Sequence, residues 1–246
     1  GGIKANIKNP IEYFDQNLIM GRNIVMAAYQ SGVKRFINIS STCMYPRFAE
    51  NPLQEHAILS GELEPTNEGY ALAKIMATRL CQYIQNENSA LVYKSLVVCN
   101  LYGRHDKFCE SNSHLLAAII HKIHLAKVNG DKTVDIWGDG LARREFMYAG
   151  DVADAILKAV GDLDTLPDVM NLATGNDFSV NDYYHRVSEA LDWQGEYVHD
   201  LSKPVGMKQK LASIDAQKKW GWRPQTSLLD GIKKSYEFYL TNCLIQ

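Results

Sequence analysis

The chain has 246 residues, 26 basic against 28 acidic side chains, and a formal net charge of −2. That length suits one large domain or two small ones, and the balanced charge carries no broad nucleic-acid signature. Five cysteines without a Cys-x-x-Cys pair argue against a disulfide framework or structural zinc, favouring a reducing cytoplasm; no apolar run approaches a membrane span.

Asn9-Pro10 reads as a helix start, and Ile11, Phe14, Leu18, Val25 and Ala28 follow at near-helical spacing until Ser31-Gly32. Arg35 to Ile39 is a short β-rich run that feeds Ser40-Ser41. Residues 46–69 are polar and proline-bearing, which predicts a long loop. A helix is expected over Tyr70 to Gln85, then a strand over Ala90 to Val98 that leads into Asn100-Leu101-Tyr102-Gly103. Ser113 to Val128 reads as a helix capped by Ser113 or Asn112. His121 and His124 share one face of it, without a third ligand, so no metal is expected. Further expectations are a strand at Thr133 to Trp137, a helix at Asp151 to Val160, a strand at Val169 to Leu172, and helices at Val180 to Leu191 and Leu228 to Leu240. Helix and strand alternate, which is α/β order. In open parallel sheets ligands bind beyond the carboxyl ends of strands, where Ser41 and Asn100 fall.

Tyr70 and Lys74 stand four apart on the predicted helix and share a face. An ammonium beside a phenol is expected to lower the phenol's pKa, equipping it to exchange a proton with a carbonyl oxygen. Tyr-x-x-x-Lys alone is weak evidence, since about one chance match arises per chain of this composition. Taken alone, Tyr70 and Lys74 also read as a solvated helix pair, Cys43 as a small buried hydrophobe, and Trp137 as core.

Context supplies the specificity. Ser41-Thr42-Cys43-Met44-Tyr45-Pro46 precedes Pro65-Thr66-Asn67-Glu68-Gly69-Tyr70-Ala71-Leu72-Ala73-Lys74. Asn100-Leu101-Tyr102-Gly103, Asn112-Ser113-His114, Trp137-Gly138, Arg143-Arg144-Glu145-Phe146, Lys210-Leu211 and Gly221-Trp222-Arg223-Pro224 follow in order. This ordered set, running from Gly1 to about Asn242, resembles the extended short-chain dehydrogenase/reductase (NAD-dependent epimerase/dehydratase) family. Within it, the set is similar to the branch that converts a GDP-linked 4-keto-6-deoxyhexose by 3,5-epimerisation and 4-reduction with NADPH, giving GDP-L-fucose.

The resemblance implies a Rossmann-like, doubly wound parallel sheet with a smaller α/β C-terminal substrate-binding region. Residues 1–105 would belong to the dinucleotide-binding domain and 106–246 mainly to the substrate region, with 145–175 returning to the core. It implies Tyr70 as general acid, Lys74 as the cation beside it and on the nicotinamide ribose, and Ser41 orienting the C4 oxygen. Cys43 and His114 become the epimerisation pair. Ile39, Ser40, Ser41, Thr42, Tyr70, Lys74, Val98, Cys99, Asn100, Leu101 and His114 would line the NADP(H) site. Asn100, Lys122, Trp137, Arg144 and Lys210 would hold the GDP-sugar. It also implies a homodimer through residues 10–30 and 70–85, with no nucleic-acid or membrane partner.

Departures from the family pattern accompany the match. No Gly-x-Gly-x-x-Gly loop occurs, and the resemblance puts the family's opening dinucleotide-binding units ahead of Gly1, so the chain reads as part of a longer protein. A native chain starting at Gly1 would instead be a nucleotide-sugar-binding remnant. Val205 to Lys210 replaces an Asp-Gly-Thr-Pro-Arg-Lys run, Val98-Cys99 replaces Pro-Thr, and Lys122 stands where arginine is common. Related substrates, such as colitose or 6-deoxy-heptose precursors, and a reductase or single epimerase stay open.

Overall fold

The computed structural model describes residues 3–109, 113–203 and 206–243. The chain opens with helices α1 (Ile3–Lys8) and α2 (Pro10–Gln30), strand β1 (Arg35–Ser41), helix α3 (Glu68–Glu87) and strands β2 (Val92–Val98) and β3 (Asn100–Tyr102). Next come α4 (Leu115–Asn129), β4 (Thr133–Trp137), β5 (Arg143–Arg144), β6 (Phe146–Tyr148), α5 (Ala149–Asp162) and β7 (Val169–Leu172). The remainder is β8 (Phe178–Ser179), α6 (Val180–Leu191), β9 (Glu196–Asp200), β10 (Gln209–Lys210), α7 (Asp215–Trp220) and α8 (Leu228–Asn242).

Strands β1, β2 and β7 form a parallel sheet in that order. β2 is buried almost throughout because helices cover both faces. Leu96 and Val98 join Val152, Ala155 and Ala159 of α5. Val97 packs with Ala71 and Ile75 of α3, while Tyr93 packs with Cys81 and Ile84 of α3 and Val25 of α2. The period-2 alternation of a strand thus serves two layers at once. Under α3, the buried Asn38 amide donates to Thr78 and Ser95, and Ser40 bonds Thr78 at 2.9 Å, so the polar groups of this layer satisfy one another.

A second core gathers α4, α6 and α8 around β4, with Ile119, Ile120, Ile123, Ile136, Tyr183, Val187, Ile232 and Tyr239 at its centre. β4 pairs in parallel with β9, β3 with β6, and β10 with β5, whose other edge takes β8 antiparallel. Gly138 and Gly140, at φ +74° and +69°, turn the chain between β4 and β5. No described helix is long and apolar enough to cross a membrane.

Two caps depart from the sequence reading. Asn9 makes no side-chain cap bond. α4 starts two residues later than expected, with His114 at its cap position; Ser113 instead accepts a hydrogen bond from the Cys109 amide at 2.7 Å. Asn112 and Val205 lie outside the described residues. Strands β3, β5, β6, β8, β9 and β10 were not foreseen; all but the five-residue β9 have only two or three residues, too few to display a period.

Candidate active site

The register of the main sheet places Ser41, Val98 and Leu172 side by side at the carboxyl ends of their strands. Immediately beyond β1, a 3-10 turn over Thr42–Met44 is capped by Ser41, whose hydroxyl accepts the Cys43 amide at 3.2 Å. That cap turns the chain sharply and fixes Cys43 beside Ser41. From the opposite side, the first turn of α3 brings Tyr70, whose phenol hydrogen-bonds Ser41 and lies close enough to Cys43 to feel its charge.

The electrostatics of Tyr70 differ from the sequence expectation. Burial pushes the phenol up to about 12, a Cys43 charge pushes the same way, and the Ser41 bond only partly offsets them. Lys74 sits 5.7 Å from the Tyr70 ring centre and donates to the Ile39 carbonyl at 3.0 Å. Burial lowers the Lys74 ammonium itself. Desolvation of the phenol therefore outweighs an ammonium at that range, and Tyr70 is held as a neutral acid.

The sulfur of Cys43 has two donors, Asn67 Nδ2 at 3.3 Å and Lys210 Nζ at 3.5 Å. Lys210 is buried and pairs in register with Arg144 across β10 and β5. Arg144, its pKa lowered by burial, feels Glu64, Cys43 and Tyr183 as stabilising charges. Ser41, Cys43, Tyr70, Arg144 and Lys210 therefore converge at one place, although 169 positions separate the first from the last.

Other expected residues fall around this centre in different ways. Ile39 is 37% exposed at the end of β1. Ser40 is committed to Thr78 and Met44, and Thr42, Val98 and Cys99 are buried, so these four build the strand ends rather than offer side chains. Leu101 packs into the α5 core. Asn100 donates to the Glu145 carbonyl at 2.9 Å. Lys122 is ion-paired with Asp135 at 2.9 Å, and Trp137 ends the same strand, β4, with Lys203 5.7 Å from the ring centre. His114 is exposed, and its described neighbour is Asp106, whose raised carboxyl it draws down; the described contacts do not join it to Cys43 or Tyr70.

Two residues of the quoted motifs were passed over. Glu145 is buried and accepts from the Thr174 amide and hydroxyl, the Gly175 amide and the Ala212 amide. Its position between Arg144 and Phe146 was the available signal, because a carboxylate beside a buried aromatic needs internal donors. Asn67 was the other, three residues before Tyr70 and in contact with Cys43.

The donor set suits a nicotinamide nucleotide: a cation and two hydroxyls for sugar oxygens, beside the partly exposed apolar face of Ile39.

The family model for the NAD dependent epimerase/dehydratase family matches residues 1–173. A GDP-L-fucose synthase of Azorhizobium caulinodans is 48% identical over 241 residues, covering 98% of this chain and 77% of that protein. A GDP-L-colitose synthase of Yersinia pseudotuberculosis is 45% identical over 240 residues, covering 98% and 78%. Among solved structures, a GDP-L-fucose synthetase from Naegleria fowleri bound to NADP superposes with a TM-score of 0.86 at 27% identity, over 95% of this chain and 74% of that one.

Proposed function

Since the chain belongs to the NAD dependent epimerase/dehydratase family, we propose that it serves an NADP(H)-dependent enzyme converting GDP-4-keto-6-deoxy-D-mannose to GDP-L-fucose. The reaction joins 3,5-epimerisation to 4-reduction. The observation that carries the reading is the convergence of a thiol, a phenol kept protonated and a serine hydroxyl at the strand ends, beside two cations.

Ser41 and Tyr70 hold the C4 oxygen. Cys43 takes a proton from the ring carbon next to the ketone, the C–H electron pair passing into an enolate whose oxygen those two hydroxyls stabilise. His114, at the start of α4, returns a proton from the other face. Tyr70 then donates its proton to the C4 oxygen, which suits a phenol whose neutral form is favoured at physiological pH. NADPH, when bound, would supply the hydride that goes to C4; Lys74, Ile39 and the backbone of residues 98–101 would hold it. Arg144, Lys210, Trp137, Lys122 and Asn100 hold the GDP-sugar, with Lys122 exchanging Asp135 for a phosphate oxygen. Residues 1–105 with 145–175 act as the cofactor half, and the rest of 106–246 as the sugar-nucleotide half.

The enzyme in this reading is a cytoplasmic homodimer with no nucleic-acid or membrane partner. Its five cysteines are unpaired, and α2 leaves several large apolar side chains exposed. The Yersinia relative supports a second reading, in which the substrate is the corresponding 3,6-dideoxy ketone.

The full-length protein in deuterated water with GDP-4-keto-6-deoxymannose and NADPH is expected to place deuterium at C3 and C5 and to oxidise NADPH. Absence of both overturns the assignment. Turnover of the 3-deoxy ketone alone moves it to the second reading.

A further inference from the structure

We propose that Asn67 is a positioning residue for Cys43, giving up its ordinary structural role to hold the sulfur; the inference deepens the epimerase reading and rests on it. Asn67 occupies the cap position of α3, where an asparagine side chain normally accepts an amide of the first helical turn. It makes no such bond, at φ −142° and ψ 20°. Ser179 and Ser227 cap α6 and α8, accepting the Asp182 and Asp230 amides, whereas Asn9 of α2 makes no side-chain cap bond either; what sets Asn67 apart is where its side chain goes.

Asn67 Nδ2 instead donates to Cys43 Sγ at 3.3 Å, and Oδ1 is buried without a partner among the described residues. Its backbone is fixed, because the Asn67 amide bonds the Glu64 carbonyl at 3.1 Å and Glu64 Oε1 accepts both the amide and hydroxyl of Thr66. Lys210 reaches the same sulfur at 3.5 Å. Two donors from separate parts of the chain thus meet on one atom.

Donors from an amide and an ammonium hold the sulfur in one place, so the pair positions Cys43 to accept the ring proton. The proton leaves the carbon next to the ketone and arrives on sulfur; the amide neither gains nor loses one. Serine at position 67 would cap the helix and abandon the sulfur, and aspartate would set a negative charge against it.

The test compares Asn67→Ser and Asn67→Asp with the full-length wild type. Iodoacetamide labelling of Cys43, followed by peptide mass mapping without substrate, is expected to slow about ten-fold in both variants. Deuterium entry at C3 and C5 is expected to fall by a similar factor, while NADPH oxidation on the already epimerised ketone stays within about two-fold. The serine variant is expected to melt no lower than wild type. Labelling and exchange at wild-type rates in both variants overturn the proposal. So does an equal loss of exchange and reduction, the pattern of general disruption. Should the wild type itself exchange no deuterium, the epimerase reading fails, and the labelling rates still decide whether Asn67 governs the sulfur.

Discussion

Tyr70 illustrates how little a side-chain spacing says about acidity. Its distance from Lys74 along the helix is what a shared face requires, yet the phenol rises to about 12 because burial dominates. The sign of the consequence is definite. A folded value above the ordinary 10.0 means that neutral Tyr70 contributes its stability in full below about pH 10 and loses it as the pH climbs through about 12. Urea unfolding of wild type and Tyr70→Phe at about pH 8 and about pH 11 checks this. Wild type is expected to lose stability relative to the phenylalanine variant at the higher pH. A constant difference would show the phenol to be less buried than the fold implies.

At the scale of elements, Glu145 ties three of them together. It sits between β5 and β6, and its carboxylate accepts from residues following β7 and β10. The strand that carries Arg144 and the strand that carries Lys210 are thereby clamped to the end of the main sheet. Glu145→Gln keeps the volume but turns an NH2 group toward backbone amides that need an acceptor. The expected cost is about 2 kcal/mol in urea unfolding, from buried amides left unpaired. The KM for the GDP-sugar is expected to rise with it, through Arg144 and Lys210. A variant as stable as wild type would mean that other acceptors hold those loops.

For the whole molecule, the informative surface is α2. Among its residues Val25 is buried, whereas Ile11 is 83% exposed, Met20 59% and Ile24 60%. Such a concentration of apolar surface on one helix suits an interface between subunits. Met20→Lys combined with Ile24→Lys is expected to convert the dimer proposed above to a monomer in analytical ultracentrifugation, with the far-ultraviolet spectrum unchanged. If the wild type sediments as a monomer, the dimer is wrong. A dimer that survives both lysines places the interface elsewhere.

The long helices and the three strands of the main sheet were legible in the sequence, because apolar periodicity and local caps act over a few residues. So was the grouping of Ser41, Cys43, Tyr70 and Lys74, since a strand end, a tight turn and one helical face determine where those residues stand. Contacts made by long-range folding were hidden, even where a residue such as Lys210 was itself expected at the site. Lys210 meets Cys43, and Glu145 meets Ala212, only after the short strands pair across the molecule. Strands of two or three residues have no period of their own and form where tertiary packing brings partners together. The acidity of Tyr70 and the uncapped Asn67 belong to the same class: desolvation and hydrogen-bond choice depend on everything packed around a group, which only the folded chain decides.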